Sequence, residues 1–190
     1  MEESNYNTTK HFIFIFLIIS VGLSFAQNRK MDSLWAIFNN KAQADTNRLK
    51  AINDIVWSYS NINPDTAILI AEQGLQLARI TKQKKYEGRV FASIGVLYQN
   101  KGNYPKALEN QLKSLKIMKE IGNGNGIARC HNNIGNVYLY QSNYPGALEY
   151  YRKALKQKEE IGDKKSMGVC YSNIGNVYLK QSDFPQALKY

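Results

Sequence analysis

The chain contains 190 residues, of which 44% are apolar and 21% are charged, and this suits one compact domain or a short array of repeats. Its 25 Lys and Arg residues outnumber its 15 Asp and Glu residues, so the formal net charge is +10 and acidic partners would be attracted. The basic residues are nevertheless spread along the chain. They lack the basic and aromatic clustering of nucleic-acid-binding proteins, which argues against a nucleic-acid partner.

The N-terminal segment, residues 1–26, has the pattern of a secretory signal peptide. An apolar run over residues 12–19 is followed by the small residues Ser24 and Ala26, where a signal peptidase would cleave. The run is shorter than the roughly 20 apolar residues that a membrane-spanning helix needs. We therefore expect export across the cytoplasmic membrane, to the periplasm or another extracytoplasmic space, with cleavage. An uncleaved anchor is the alternative.

Residues 27–45 form a polar leader ahead of the repeats. Within it, residues 33–38 read Ser-Leu-Trp-Ala-Ile-Phe and could form a short amphipathic helix. Terminal units of repeat arrays are commonly atypical, because they must cover an open apolar end. The segment is therefore a candidate N-terminal capping helix.

A motif with a period of forty residues organises the rest of the chain. Residues 133–138 read Asn-Ile-Gly-Asn-Val-Tyr, the same six residues return at 173–178, and a weaker copy stands at 93–98. A fixed period in this range indicates a stacked-repeat array. The predicted repeats are 46–85 (divergent), 86–125, 126–165 and 166–190 (truncated).

Each repeat is predicted to be a helix, a tight turn and a second helix. Every proline falls in the first turn of a second helix, where a fixed φ and a missing N–H are tolerated, and follows a good N-cap residue. These N-caps and prolines are Asn63 and Pro64, Asn103 and Pro105, Asn143 and Pro145, and Asp183 and Pro185. The links between repeats are predicted at 81–86, 122–126 and 162–165, with glycine able to end the preceding helix in the last two.

The recurring residues resemble the tetratricopeptide repeat. Its small residue in the first helix is matched by Gly95, Gly135 and Gly175, its aromatic residue by Tyr98, Tyr138 and Tyr178, and its second-helix alanine by Ala67, Ala107, Ala147 and Ala187. The resemblance implies an all-α fold, an α-solenoid of helix–turn–helix repeats, from Thr46 onward. The period exceeds the usual 34 residues, which is similar to the long variant of kinesin light chain and rapsyn-type adaptors. HEAT or armadillo repeats have a similar period but would not explain the recurring Gly, Tyr and Ala.

Candidate catalytic and metal-binding groups are sparse. His131 stands where the other repeats have core aromatic residues, so a partly buried ring is its expected role. Cys130 and Cys170 occupy equivalent positions roughly 9–10 Å apart in stacked helices, too far for a disulfide, and are expected to be small buried thiols. The glycine-rich segment 122–126 lacks phosphate-loop spacing. No metal site, cofactor or enzymatic activity is expected of these residues.

The candidate binding site lies on the first helices of the repeats, which line the concave side of a two-helix solenoid. An asparagine amide can hold a peptide backbone, and an arginine can hold a carboxylate with two parallel hydrogen bonds. Similar asparagine ladders grip extended peptides in the long-variant relatives. Alternatively, the asparagines bond neighbouring helices and stabilise the stacking. The candidate groove residues are Arg89, Arg129, Asn133, Asn136, Tyr140, Asn173 and Asn176.

The expected function is capture of a protein or an extended peptide segment. Exported arrays of this type resemble the sensory regions of bacterial signalling proteins, where a membrane helix and an output domain such as a histidine kinase follow. Because the fourth repeat stops at Tyr190 within its second helix, we expect the natural protein to continue, with a membrane anchor one option beyond that residue. A stand-alone exported scaffold or adaptor is the alternative.

Overall fold

The computed structural model describes residues 29–190, and this part of the chain contains nine helices and the turns between them. The all-α fold predicted from the sequence is confirmed. The predicted signal peptide lies outside the described residues. None of the helices within residues 29–190 is long and apolar enough to cross a membrane. The helices are α1 (residues 29–39), α2 (Asp45–Tyr59), α3 (Pro64–Ile80), α4 (Lys84–Asn100), α5 (Tyr104–Glu120), α6 (Gly124–Tyr140), α7 (Tyr144–Glu160), α8 (Lys164–Lys180) and α9 (Phe184–Lys189).

The chain divides into two compact units, one ending at Ile55 and the other running from Val56 to Tyr190. In the first unit, the amphipathic segment 33–38 lies within α1. The Arg48 Nε donates a hydrogen bond of 2.9 Å to the carbonyl oxygen of Phe38, and its guanidinium carbon lies 5.9 Å from the centre of the Phe38 ring. These contacts join α2 to α1 within this unit.

In the second unit, from α3 to α9, each helix packs against the next one in the chain. We refer to α4 and α5 as pair 2, to α6 and α7 as pair 3, and to α8 and α9 as pair 4. Small residues allow the helices of a pair to approach closely. A Cβ atom placed on Gly135 would lie only 2.6 Å from Cε1 of Tyr151, and Ala147 and Ala154 are completely buried. The glycine and alanine of the repeat motif are therefore packing residues, as the sequence predicted.

Apolar clusters join successive pairs. Leu115 and Met118 of α5 pack against Cys130 and Ile134 of α6. Both cysteines are free and buried, which confirms that prediction. The Cys130 Sγ lies 3.1 Å from a serine hydroxyl of α5, and burial raises the pKa of the thiol. Cys130 is thus an inert part of the core.

The second helices start as the sequence predicted. Each proline occupies one of the first two positions of its helix, and the side-chain oxygen of the predicted N-cap accepts a hydrogen bond from a backbone N–H of the first turn. For Asn143, this bond comes from the N–H of Gly146 at 3.0 Å. Each second helix therefore begins at a fixed residue.

The links between pairs are shorter than predicted and comprise residues 81–83, 121–123 and 161–163. The predicted link 122–126 extended too far, because Asn123 is an N-cap: its Oδ1 accepts a 2.9 Å hydrogen bond from the N–H of Gly126, which lies in the first turn of α6. Asp163 caps α8 in the same way. Gly122 and Gly162 end the preceding helices with φ angles of 65° and 70°, as predicted.

Candidate binding face

The first helices of pairs 2, 3 and 4 form a continuous row. Helix α4 contacts α6 directly, and Asn173 of α8 donates a 2.6 Å hydrogen bond to Asn132 of α6. On α6, residues 129, 132, 136 and 140 are three or four positions apart and so share one side of the helix. We call this surface and its equivalent on α4 and α8 the first-helix face. It carries Lys85, Arg89, Arg129, Asn132, Asn136, Tyr140 and Asn176.

Two of the predicted site residues, Arg89 and Arg129, come together at the N-terminal end of this face. Both line a cavity of about 210 Å³, together with Lys85 and the first turn of α6. The Arg89 guanidinium carbon lies 5.4 Å from the centre of the Tyr86 ring. Loss of solvation, and then the positive charge of Arg89, lower the pKa of the Arg129 guanidinium. An arginine remains charged under such a shift, so the cavity is strongly positive.

Three of the four predicted asparagines are engaged with neighbouring side chains. The Asn133 Nδ2 donates to Gln111 Oε1 at 3.3 Å, and Asn173 donates to Asn132. The Oδ1 of Asn136 accepts a 2.7 Å hydrogen bond from the hydroxyl of Tyr151. Asn176 is exposed and has no hydrogen bond to any residue in the described part of the chain. In the unliganded chain, only Asn176 therefore has its full hydrogen-bonding capacity free.

A second cavity, of about 350 Å³, lies on the other side of Arg129, between α6 and α8. Val169, whose surface is 57% exposed, and Cys170 contribute apolar atoms to its wall. Lys158 also lines it, but its Nζ donates to Asn125 at 2.7 Å and to Asp163 at 2.8 Å. The bond from Lys158 lowers the pKa of the Asp163 carboxyl to about 2, so this lysine is already neutralised.

Tyr140 lies apart from the arginines. It is 64% exposed and lines a different cavity, of about 470 Å³, near the C-terminal end of α4. Tyr140 follows Arg129 by three turns of α6, which corresponds to about 16 Å along the helix axis. The predicted residues therefore extend along the face rather than forming one compact pocket. An extended chain of about five residues would cover that distance.

The sequence prediction did not include Asn132, Lys85 or Val169, which line the two cavities beside Arg129 or bond across the row. Asn132 could have been found, because it lies three residues after Arg129 and four before Asn136 on the same helical side. Val169 carried no such signal, since an exposed valine is recognised only when its surroundings are known.

A larger cavity, of about 620 Å³, lies among α3, α4 and α5, on the side of the second helices. Several of its charges are compensated. Glu87 accepts from Arg79 at 3.1 Å and from Lys84 at 2.9 Å, and Lys113 donates to Glu109 at 2.6 Å. Burial acts to raise the pKa of Glu87, but the two hydrogen bonds outweigh it and the pKa is lowered. This cleft offers less unbalanced charge than the arginine cavity.

His131 is not placed for catalysis. Its ring lies 5.8 Å from that of Tyr150, and its buried Nδ1 has no hydrogen bond to residues 29–190. Loss of solvation and the nearby Lys119 and Lys153 lower its pKa to about 4. The imidazole is therefore neutral at physiological pH. The described residues also contain no group of three or more His, Cys, Asp or Glu side chains that could hold a metal ion.

Successive helix hairpins, close contact at glycine and alanine, and a row of first helices define an α-solenoid repeat protein. A model of the tetratricopeptide repeat matches residues 89–160 and 132–190, which together make up more than half of the chain. The chain therefore belongs to the tetratricopeptide repeat family. This fold is typically a non-catalytic scaffold for protein interactions. A search of curated proteins found no match.

Solved structures of similar fold include a Rap protein complexed with Competence and Sporulation Factor, at 14% identity and a TM-score of 0.71, covering 88% of this chain and 48% of that one. A protein of Podosopora anserina, assigned as a kinesin light chain with nearly identical TPR-like repeats, is 13% identical, with a TM-score of 0.61 over 90% and 88% of the two chains. A signal transduction ATPase of Pyrococcus horikoshii with a tetratricopeptide repeat sensor is 20% identical, with a TM-score of 0.66 over 77% and 23%. This chain thus spans about half of the Rap protein and under a quarter of the ATPase.

Proposed function

We propose that the first-helix face binds an extended peptide or protein segment, and that the chain is the extracytoplasmic sensory or interaction region of a larger signalling protein. The observation that carries the proposal is the arrangement of unsatisfied side chains along the face. Arg89 and Arg129 lie at one end, exposed Tyr140 at the other, and Asn176 is exposed without a partner. A surface with hydrogen-bonding groups and adjacent cavities over several turns suits a ligand that is long and narrow.

The sensory part of the proposal draws on the neighbours. One similar structure is a Rap protein complexed with Competence and Sporulation Factor, and another carries a tetratricopeptide repeat sensor in a signal transduction ATPase. The apolar N-terminal segment adds export to this picture. A stand-alone exported scaffold is the second candidate, since residues 1–190 would serve it equally well.

Peptide capture is tested by selection of a random peptide display library against the chain. Peptides that compete with one another for a single site are expected. A variant with Tyr140→Ala and Asn176→Ala should bind them more weakly while melting normally, because both side chains are exposed. The matched control replaces exposed residues of α3, Leu69→Ala and Gln73→Ala, and should bind like the wild type. Failure to enrich any peptide would contradict the proposal.

Asn136→Ala is a poor probe of the same question. Its amide oxygen accepts from the hydroxyl of Tyr151, a fully buried residue, so the substitution would disturb packing as well as binding. The choice of Asn176 avoids this confusion.

Export is tested separately, by expressing the chain in a bacterial host with two membranes and sequencing the N terminus of the product. A periplasmic protein that begins at Gln27 is expected. A cytoplasmic product that retains residues 1–26 would contradict export without affecting the peptide-binding proposal.

A further inference from the structure

Arg89 and Arg129 form an unpaired cationic site. Ion pairs within residues 29–190 use other cations, and neither arginine has an acidic partner there. Both guanidinium groups nevertheless line the same cavity, of about 210 Å³, with Lys85 as a third cation. Like charges held together in this way repel one another, and only an anion would remove the cost.

The first-helix face contains nothing that could supply this anion. Helices α6 and α8 have no Asp or Glu, and α4 has only Glu87, which is buried and bonded to Arg79 and Lys84. The first turn of α6, at Asn125 and Gly126, adds the positive end of a helix dipole to the cavity wall. The missing negative charge must therefore come from a bound molecule.

The cavity on the other side of Arg129 has a different character. Arg129 lines both cavities, so a ligand bonded to its guanidinium reaches the second one directly. There, Val169 is 57% exposed and Cys170 lies beside it. In an extended peptide, alternate side chains point to the same side, about 7 Å apart. An acidic side chain and an aliphatic side chain two residues away could thus be accommodated together.

We propose that the cavity between Arg89 and Arg129 binds the carboxylate of an Asp or Glu side chain of an extended peptide, and that the cavity at Val169 receives an aliphatic side chain two residues away. This inference rests on the proposed peptide-binding function and specifies its ligand. Arginine suits the role because its planar group bonds both oxygens of a carboxylate at once.

The test uses fluorescent peptide pools with blocked ends and uncharged random flanks. One pool has Glu-x-Val at its centre, and two control pools have Gln-x-Val or Glu-x-Ser. The Glu-x-Val pool should bind the full chain at least about tenfold more tightly than the Gln-x-Val pool, as expected for hydrogen bonds to a charged group. The Glu-x-Ser pool should bind with intermediate affinity.

Arg89→Gln and Arg129→Gln should each weaken binding of the Glu-x-Val pool by about tenfold or more, and Arg129→Lys by less, because it keeps the charge but loses the two-pronged geometry. Lys156→Gln, which removes one exposed positive charge from α7, is the control and should change nothing. Both glutamine variants should melt at or above the wild-type temperature, since neither arginine is paired. This separates a lost ligand contact from a lost fold.

Three results would overturn the inference. Equal binding of the Glu and Gln pools, or binding unchanged by the arginine variants, would mean that the peptide does not use this cavity. Displacement by inorganic phosphate as effectively as by the Glu peptide, at matched ionic strength, would assign the cavity to a free anion. If library peptides bind but ignore the arginines, the inference alone fails, whereas the absence of any bound peptide contradicts the proposed function itself.

Discussion

Pairs 2 and 3 fill the same space between their helices with different side chains. In pair 2, Gln111 is fully buried over Gly95, and its Nε2 donates to the carbonyl oxygen of Ala92 at 2.9 Å. In pair 3, the equivalent residue is Tyr151, which is also fully buried and lies over Gly135. The tyrosine is longer, so its hydroxyl reaches the first-helix face and needs an acceptor there.

That acceptor explains a difference on the face itself. Asn136 bonds the Tyr151 hydroxyl at 2.7 Å, whereas the equivalent residue of pair 2 is Val96, which has no hydroxyl to satisfy. The polar residue on one helix is thus matched to the filler on the other. A repeated motif therefore does not guarantee a repeated role: Asn136 supports the packing, while its copy Asn176 is exposed and free.

The largest expected effect comes from filling the space over Gly135. In Gly135→Ala, the new Cβ would lie 2.6–2.7 Å from ring atoms of Tyr151, and we expect a loss of about 2 kcal/mol in the free energy of unfolding. Gly175→Ala is the control, because its nearest neighbour would be an ordinary contact of 3.4 Å. It should be neutral or stabilising by up to about 1 kcal/mol. Urea unfolding followed by circular dichroism measures both, and equal losses would mean that Tyr151 does not limit the space.

The next effect tests the match between Tyr151 and Asn136. Asn136→Ala leaves a buried hydroxyl without its acceptor, at a cost of about 1–3 kcal/mol in unfolding free energy. Adding Tyr151→Phe to Asn136→Val, which copies Val96 of pair 2, should recover most of that loss. Asn176→Ala should leave stability unchanged. If Asn136→Ala is equally silent in the urea experiment, the hydrogen bond contributes nothing and the residue is free for a ligand.

Pairs 2 and 3 also differ at Phe91 and His131, which occupy equivalent positions. His131 has a folded-state pKa of about 4, below the value of about 6.5 expected when unfolded. The unfolded chain then binds more protons between these values, so stability is complete above pH 6.5 and falls as the pH drops towards 4. Between pH 7 and pH 5, we expect a loss of about 1–2 kcal/mol from this group.

The matched variant is His131→Phe, which copies the side chain of pair 2. It should lose less stability than the wild type over the same pH range, with the remaining loss due to carboxylates common to both proteins. Urea midpoints at pH 7 and pH 5 give the difference. Parallel loss in the two proteins would mean that the imidazole is protonated freely in the folded state, despite the nearby Lys119 and Lys153.

The fold was predictable because its determinants are local or periodic. Gly135 and Tyr138 recur with the repeat, and each proline and its N-cap lie within a few residues of the helix start they determine. The link 122–126 was predicted too long because the glycines drew attention away from Asn123. Its side chain starts α6 two residues earlier than expected.

The candidate site was only partly predictable, because its state depends on residues that are distant in sequence. Helical spacing identified Arg89 and Arg129, but not that they line one cavity without an acidic partner. Spacing also selected Asn133 and Asn136, whose amides are occupied by Gln111 and Tyr151 on other helices. No one-helix pattern contains that information, since it arises from packing between helices.

The smallest effect concerns the turn inside each pair, where pair 2 has Gly102 with φ 72° and pair 3 has Ser142 with φ 57°. Both backbones are in the left-handed region, which costs a residue with a Cβ about 1–2 kcal/mol but costs glycine little. The larger entropy of glycine in the unfolded chain offsets part of that gain. Ser142→Gly should therefore stabilise pair 3 by about 0.5–1 kcal/mol, and Gly102→Ser should destabilise pair 2 by a similar amount. In a chain of this size, each change corresponds to a shift of roughly 1–4 °C in Tm, with opposite signs. Shifts of the same sign would show that the turn conformation is not what distinguishes these residues.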